Sequence, residues 1–195
     1  MTSRLGGPSG NERLTALTAV VLLVLLAAEG LTIPLIHAHL AWHIFLGLVL
    51  VPPVLLKLGS VGWRFARYYL RTPAYVAKGA PSALMRFLVA PVTVASTLVL
   101  FGSGVLLAVL HPQRGPVLAV HKASFIVWFG AMSLHVLGHV LKLPGLARAD
   151  LGGRTEGAWL RQVLVACAIV AGVIVAIVAL PAAHAWAHWA AVAHG

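Results

Sequence analysis

Charged residues are scarce in this sequence, and acidic residues are nearly absent. Only 9% of the 195 residues are charged, with 4 Asp and Glu against 14 Lys and Arg. A soluble domain carries about 25% charged residues, whereas 61% of this chain is hydrophobic. So few charges cannot cover a water-exposed surface. The composition therefore predicts an integral membrane protein whose apolar side chains face the lipid bilayer.

Cysteine and the common catalytic motifs are also missing. Cys167 is the only cysteine, which excludes an intramolecular disulfide, a CxxC zinc pair and a CxxCH site for covalent haem attachment. The sequence contains no GxGxxG, GxxxxGK[ST] or HExxH motif. No apolar segment carries two acids for acid–base chemistry. A soluble catalytic role is therefore not predicted.

Five apolar segments are long enough to cross a bilayer, which takes about 20 helical residues. They span residues 14–36, 39–58, 87–110, 117–141 and 158–180. The first segment is too long for the apolar core of a cleaved signal peptide. These segments predict one all-α domain, an up-and-down bundle of about five transmembrane helices. Pro52 and Pro53 are expected to kink the second helix.

The basic residues predict the orientation of the bundle. Of the 14 Lys and Arg, all but Arg114 and Lys122 flank the segments on the side of the N-terminus. The positive-inside rule assigns the more basic side to the cytoplasm. We therefore expect a multi-pass protein of the cell membrane, with the N-terminus in the cytoplasm and the C-terminus outside. The net charge of +10 then reflects topology, and no nucleic acid partner is predicted.

The connection 59–86 carries several of these bases, interspersed with aromatic residues. This pattern is typical of an amphipathic segment that lies on anionic lipid. Docking of a soluble partner is the alternative.

Two of the ten histidines lie inside spans at matched depth. His43 in the second segment and His121 in the fourth each lie about one helical turn from the outer end. A histidine within a span is a candidate functional residue. Two imidazoles on different helices at one depth suit the two axial positions of a haem iron. The pair therefore predicts a haem site near the outer face.

A third histidine continues this pattern along the fourth segment. His121 and His135 are 14 residues apart, so they share a helix face and are separated by about 21 Å. This spacing suits two haems near opposite membrane faces. His139 is expected at the inner interface. The remaining histidines are expected at the outer interface: His37, His39, His111, His184, His188 and His194.

These motifs resemble those of the bacterial cytochrome b561 family. The stretch from His43 to Gly47 is similar to the His-x-x-x-Gly that opens the family's second helix. The stretches that begin at His121 and run from His135 to His139 are similar to its fourth helix. The membrane subunits of formate dehydrogenases, hydrogenases and thiosulfate reductases share this plan. The resemblance covers the first four segments, and the fifth is extra.

The resemblance implies a four-helix core that holds b-type haem and transfers electrons between quinone and a redox partner protein. It implies that His43 and His121 bind the outer haem. In the family, an inner haem pairs the second histidine of the fourth helix with a histidine at the start of the first. Here residues 11–15 contain no histidine, so His135 has no evident partner for a second haem. The remaining candidates are Met85 and Lys57.

Other polar residues near the outer histidines are candidate parts of the site. Glu29 is the only acid within a predicted span. It is a candidate acceptor for the second N–H of an axial histidine, a proton acceptor for quinol, or a packing hydrogen-bond partner. Lys122 and Arg114 are expected either to pair with haem propionates or to reach the interface. Gly102 and Gly104 allow close approach of a helix or a macrocycle.

Two other functions remain open from the sequence. The outer histidines could capture zinc or copper in a metal-binding or transport protein. The chain could also be a structural membrane subunit that has lost its haems. If the protein takes part in an enzyme, we expect it to be the electron-transfer subunit of an oxidoreductase system and not the catalytic one.

Overall fold

The computed structural model describes residues 6–79, 82–110, 112, 115–141, 143–153 and 155–194. Within these ranges the chain forms eight α-helices and no β-strand. The helices are α1 (Gly7–Thr32), α2 (Ile36–Tyr69), α3 (Pro73–Val76), α4 (Ala90–Val109), α5 (Pro116–Leu137), α6 (Leu143–Leu151), α7 (Ala158–Val178) and α8 (Leu180–His194). Five helices, α1, α2, α4, α5 and α7, are long and apolar enough to cross a membrane. The protein is therefore a multi-pass, all-α membrane bundle.

A π-helical turn, Met85–Val89, leads directly into α4. Pro91 lies in the first turn of α4 and has no N–H to donate to the carbonyl of Phe87, which its ring would crowd in a regular α-helix. The wider π turn relieves this conflict. Together the turn and α4 form one continuous span.

Helix α2 is much longer than the predicted segment 39–58. It has 34 residues, about 51 Å at 1.5 Å per residue. The first eleven residues of the predicted connection 59–86 continue α2, so the break between the two helices comes after Tyr69. The helix ends at Tyr69, before Arg71, which adopts a positive φ of 55°. Helical dihedrals persist through Pro52 and Pro53, and the residue with non-helical dihedrals is His39.

Helices α1, α2 and α7 form the tightly packed part of the bundle. Leu14, Leu17 and Val165 make one buried cluster between α1 and α7, and Leu48, Val49 and Ala176 make another between α2 and α7. At the crossing of α2 and α7, a Cβ on Gly172 would lie 2.2 Å from the carbonyl oxygen of Val49. Only glycine permits this backbone approach, as in other closely packed membrane helices.

Helix α5 packs mainly against α4, and the Trp128 indole N–H donates to Thr97 Oγ1 at 3.1 Å. Among the described residues, α5 has no close backbone packing with α1 or α2. A seam therefore separates α5 from α2 along the bundle, and side chains from both helices enter it.

The two ends of the bundle differ in chemistry. We call the end that carries Arg64, Arg67 and Arg86 the basic end, and the end that carries His43 and His121 the histidine end. Helix α8 folds back over α2 and α4 at the histidine end. It is fixed there by Trp186, which is buried and whose indole N–H donates to the carbonyl of Leu107 at 2.9 Å.

A buried ion pair fixes the connection between α6 and α7 at the basic end. Arg161 donates from Nε to Asp150 Oδ2 at 2.6 Å and from Nη2 to Oδ1 at 2.5 Å. Both side chains are 0% exposed. Thr155 Oγ1 adds a hydrogen bond to Asp150 Oδ1 at 2.6 Å. The two-point geometry and the third donor satisfy both charges away from water.

Candidate functional site

His43 on α2 and His121 on α5 face each other across the seam. Their ring centroids are 6.5 Å apart and their planes are inclined by 80°. The matched depth predicted from the sequence therefore corresponds to real proximity. This pairing brings two imidazoles together although their helices do not pack closely.

The surroundings of His43 determine which of its ring nitrogens carries the proton. His43 Nδ1 lies 3.0 Å from Glu29 Oε1 and 2.9 Å from Thr32 Oγ1. The Thr32 hydroxyl already donates to the carbonyl of Glu29 at 2.6 Å, so it accepts from His43. In a neutral ring the proton is therefore on Nδ1, and the Nε2 lone pair is free. Thr32 was not predicted as part of the site, because the sequence shows only a polar residue near the end of a span.

At His121, a backbone carbonyl is the hydrogen-bond acceptor that fixes the position of the proton. His121 Nδ1 lies 3.1 Å from the carbonyl oxygen of Leu100. A carbonyl only accepts, so Nδ1 donates and the Nε2 lone pair is again free. Ser103 Oγ lies 3.2 Å from the same nitrogen and donates to the Leu100 carbonyl at 3.0 Å. No sequence pattern marks a backbone acceptor of this kind.

Glycines make room for this arrangement. A Cβ on Gly104 would lie 3.1 Å from His121 Cε1, so the missing side chain lets the ring lie against α4. A Cβ on Gly47 would lie 3.4 Å from Glu29 Oε1, in ordinary contact with the carboxylate. The prediction of close approach at Gly104 is confirmed. At Gly102 nothing lies within 4 Å of such a Cβ among the described residues.

The spacing of the two rings fits a single iron between them. Two metal–nitrogen bonds of about 2.0 Å, with about 1.1 Å from each nitrogen to its ring centre, place the two ring centres about 6.2 Å apart when both Nε2 atoms point at the metal. The observed separation is 6.5 Å. Free Nε2 lone pairs on both rings are the donors that a bis-histidine haem needs. The pair thus supplies the donor type of a bis-histidine site at a ring separation compatible with one metal ion.

Glu29 keeps one unsatisfied oxygen. Its side chain is 14% exposed, and Oε2 is buried without a hydrogen-bond partner in the part of the chain that the structure describes. The sequence left three roles open for Glu29: acceptor for a histidine N–H, proton acceptor for quinol, and packing partner. Its contact with His43 corresponds to the first of these.

His135 lies toward the basic end of the same seam. Its Nδ1 is buried and has no hydrogen-bond partner among the described residues. Its ring stacks on that of His139, with centroids 4.6 Å apart. Lys57 on α2 lies close enough to His135 for an electrostatic interaction, and Met85 lies against Gly138, where its Cε would be 2.8 Å from an added Cβ. No second imidazole faces His135 as His121 faces His43 in the described ranges.

A hydrogen-bonded polar cluster occupies the start of α1, the region in which the sequence offers no histidine. Asn11 Nδ2 donates to the carbonyl of Ser60 at 3.1 Å, and Ser60 Oγ donates to Asn11 Oδ1 at 2.5 Å. Thr15 Oγ1 lies 2.5 Å from Ser60 Oγ, and Lys57 Nζ donates to the carbonyl of Thr15 at 2.7 Å. These groups satisfy one another and join α1 to α2. The sequence analysis considered Lys57 as a ligand of a second haem and missed this structural role.

The other predicted residues lie outside the pair. Lys122 is exposed next to His121, and the surface histidines His184 and His188 are exposed on α8. Arg114 and His111 lie outside the described residues. Over the described ranges, no group of three or more His, Cys, Asp or Glu side chains is placed to hold a metal ion.

Two apolar grooves flank α4 but do not reach the histidines. One, of about 410 Å³, runs between α4 and α5, and the other, of about 250 Å³, runs between α2 and α4. Leu98 and Gly102 line both grooves, whereas His43 and His121 line neither.

No protein-family model, curated protein or solved structure matches this chain.

Proposed function

We propose that this protein is a membrane b-type cytochrome that transfers electrons between the quinone pool and a redox partner protein. The observation that carries the proposal is the His43–His121 pair, whose ring centroids are 6.5 Å apart. Both Nδ1 atoms are held by acceptors, Glu29 Oε1 for His43 and the Leu100 carbonyl for His121. Each ring thus offers its Nε2 lone pair, which is the state that axial ligation requires.

In the proposed site, some residues would bind the haem iron and others hold those ligands in position. His43 and His121 would hold the haem iron, and the bound haem would supply a one-electron carrier. Glu29 and Thr32 fix the ring of His43, while the Leu100 carbonyl fixes that of His121. Held rings lose little freedom on binding a metal, which favours tight ligation. We also propose that Lys122 offsets the charge of a haem propionate.

We further propose kinship with the bacterial cytochrome b561 family, on the motifs that begin at His43 and His121. The role would be that of an electron-transfer subunit in an oxidoreductase system. The excess of Lys and Arg at the basic end supports a cytoplasmic N-terminus in the cell membrane. The haem site then lies near the outer face.

We propose one haem per chain. At the other end of the seam, the polar cluster of Asn11, Thr15 and Ser60 takes the place of an inner ligand. Lys57 is held by the Thr15 carbonyl, and His135 is left with no opposing imidazole among the described residues.

The experiment is a reduced-minus-oxidised absorption spectrum of detergent-purified protein, with haem quantified per chain. We expect a b-type spectrum at about one haem per chain. His43→Ala and His121→Ala should each abolish tight haem binding, whereas His188→Ala, on the exposed face of α8, should retain it. Helicity measured by circular dichroism separates loss of ligand from loss of fold.

Other outcomes would contradict the proposal. A folded, colourless protein, expressed where other cytochromes load haem, would sink the electron-transfer function. Stoichiometric zinc or copper in that protein would favour the metal-binding alternative, and a tight protein partner without metal would favour the structural subunit. Two haems per chain would overturn the single-haem proposal and point to His135.

A further inference from the structure

The basic end of α2 combines arginines with exposed aromatic rings. The connection 59–86 contains no acidic residue. The Arg67 guanidinium lies 5.4 Å from the centre of the Trp63 ring and 6.0 Å from that of Tyr75. Contacts of this kind use the face of the guanidinium, whose N–H donors lie in its plane. The two rings therefore lie against the guanidinium of Arg67, whose side chain is half-buried.

One of those donors has no acceptor within the protein. Arg67 Nε is buried and lacks a hydrogen-bond partner in the described part of the chain. A buried, charged donor left unpaired is costly, so an acceptor from outside the protein would stabilise it. Arg86 differs, because it donates to the Tyr69 hydroxyl from both Nε and Nη2. Arg67 is therefore the better candidate for an external anion.

The tryptophans of α2 indicate the depth of this site in the membrane. Trp42 and Trp63 are 61% and 57% exposed and lie on one helix, 21 residues apart. At 1.5 Å per residue they are about 32 Å apart, close to the thickness of a bilayer's hydrocarbon core of about 30 Å. Tryptophan is enriched at both membrane interfaces. Arg67, about 6 Å further along the helix, then lies at the level of lipid phosphates.

We propose that Arg67, held by Trp63 and Tyr75, binds the phosphate of an anionic phospholipid. A planar guanidinium matches phosphate oxygens through two parallel hydrogen bonds. The surrounding charge favours an anionic lipid over a zwitterionic one, since Arg64 and Arg71 lie nearby in sequence. Glu12 contacts this region, but it is paired with Lys78. The ligand class is a lipid such as phosphatidylglycerol.

The test uses the full-length protein in detergent with native mass spectrometry. Phosphatidylglycerol and phosphatidylcholine are titrated separately, and bound lipid per chain is counted for the wild type, Arg67→Gln and Arg64→Gln. We expect the wild type to bind phosphatidylglycerol at least tenfold more tightly than phosphatidylcholine. Arg67→Gln should lose about tenfold in phosphatidylglycerol affinity, the scale of one charge-assisted hydrogen bond. Arg64→Gln, which removes the same charge one turn away, should stay within about twofold.

Arg67→Lys distinguishes a requirement for the planar guanidinium from a requirement for positive charge alone. It also tests the proposal by itself if Arg67→Gln fails to fold. Lysine keeps the charge but not the planar fork, so its phosphatidylglycerol affinity should also fall by about tenfold. Wild-type affinity in Arg67→Lys, equal losses in Arg67→Gln and Arg64→Gln, or no preference for phosphatidylglycerol would each overturn the proposal. Displacement of the lipid by millimolar inorganic phosphate would assign the site to a free anion instead. None of these outcomes depends on haem.

Discussion

At the scale of single residues, hydrogen-bond acceptors distinguish the two paired histidines from the others. His43 is bound by a carboxylate and a hydroxyl, whereas His121 is bound by a backbone carbonyl and lies near a serine. His184 and His188, by contrast, are exposed on α8. The same residue type is thus a ring oriented by hydrogen-bond acceptors in one place and an exposed surface residue in another. The difference lies in neighbours up to 21 positions away, between Leu100 and His121.

The two proposed ligands differ in their hydrogen-bond acceptors, a carboxylate for His43 and a backbone carbonyl for His121. Replacing Glu29 tests the effect of this difference. With haem bound, a carboxylate that accepts the Nδ1 hydrogen bond would make His43 the more basic ligand and would favour the ferric state. Glu29→Gln keeps the size and a hydrogen bond but removes the charge. We expect the haem midpoint potential to rise by about 60 mV, which corresponds to about 1.4 kcal/mol. Spectroelectrochemical titration at fixed pH measures this shift.

The matched control for this variant is Glu12→Gln. Glu12 is at the basic end, where it pairs with Lys78, and its replacement should leave the potential within about 10 mV, because exposed charges are screened over such distances. An unchanged potential in Glu29→Gln, with haem still bound, would mean that the carboxylate does not act on the ligand.

At the scale of helices, sequence periodicity predicted some features well and others poorly. The depth of His43 and His121 follows from counting residues from the end of a span, and their proximity agrees with that count. The segment 39–58 is shorter than α2 because the apolar run ends at Leu58, whereas the helix continues through polar residues to Tyr69. A membrane span can continue as a helix into the interface, where nothing in its sequence needs to break it.

Helix contacts that depend on tertiary structure left no signal in the sequence. Arg161 was read only as a charge that indicates orientation, and Asp150 was not singled out. Their pairing depends on how the α6–α7 connection folds back. The cluster of Asn11, Thr15 and Ser60 depends likewise on the register of α1 against α2. Such pairings are set in three dimensions, and hydropathy patterns do not encode them.

Replacing Asp150 tests how much the buried pair stabilises this connection. Asp150→Asn leaves the Arg161 charge buried and only partly compensated, and removing one partner of such a pair costs about 3–5 kcal/mol. We expect a clear fall in melting temperature in detergent, followed by circular dichroism. Glu156→Gln is the control, since its side chain is exposed and the backbone carbonyl that accepts from Arg161 is kept by the substitution. Equal melting temperatures for Asp150→Asn and wild type would contradict a stabilising pair.

The same pair predicts a dependence of stability on acid pH. Burial alone would raise the pKa of Asp150, but hydrogen bonds from Arg161 and Thr155 outweigh it and hold the pKa below its ordinary value. A carboxyl whose pKa is depressed by folding stabilises the protein above its unfolded pKa of about 3.9. That stabilisation is lost as the pH falls through the lower, folded pKa. The gap in melting temperature between wild type and Asp150→Asn should therefore narrow below about pH 4.

At the scale of the whole molecule, the bundle has one compact side and one open seam. Helices α1, α2 and α7 pack around buried clusters, while α5 is attached through α4. The seam between α2 and α5 holds every histidine predicted as a haem ligand, at His43, His121 and His135. The sequence predicted the number of spans, since each needs its own apolar segment. It could not predict which helices stand apart, because all five have apolar faces.

The proposed electron transfer depends on which end of the bundle faces the cytoplasm. Cysteine labelling of intact cells tests this orientation. In a Cys167→Ser background, His188→Cys would report on the histidine end and Arg71→Cys on the basic end. Both replaced residues are exposed, so access depends on the side of the membrane. The excess of Lys and Arg at the basic end predicts that this end is cytoplasmic. A membrane-impermeant maleimide should therefore label His188→Cys in intact cells and Arg71→Cys only after the membrane is opened. The reverse pattern would place the His43–His121 pair near the cytoplasm, and the proposed redox partner would then have to be a cytoplasmic protein.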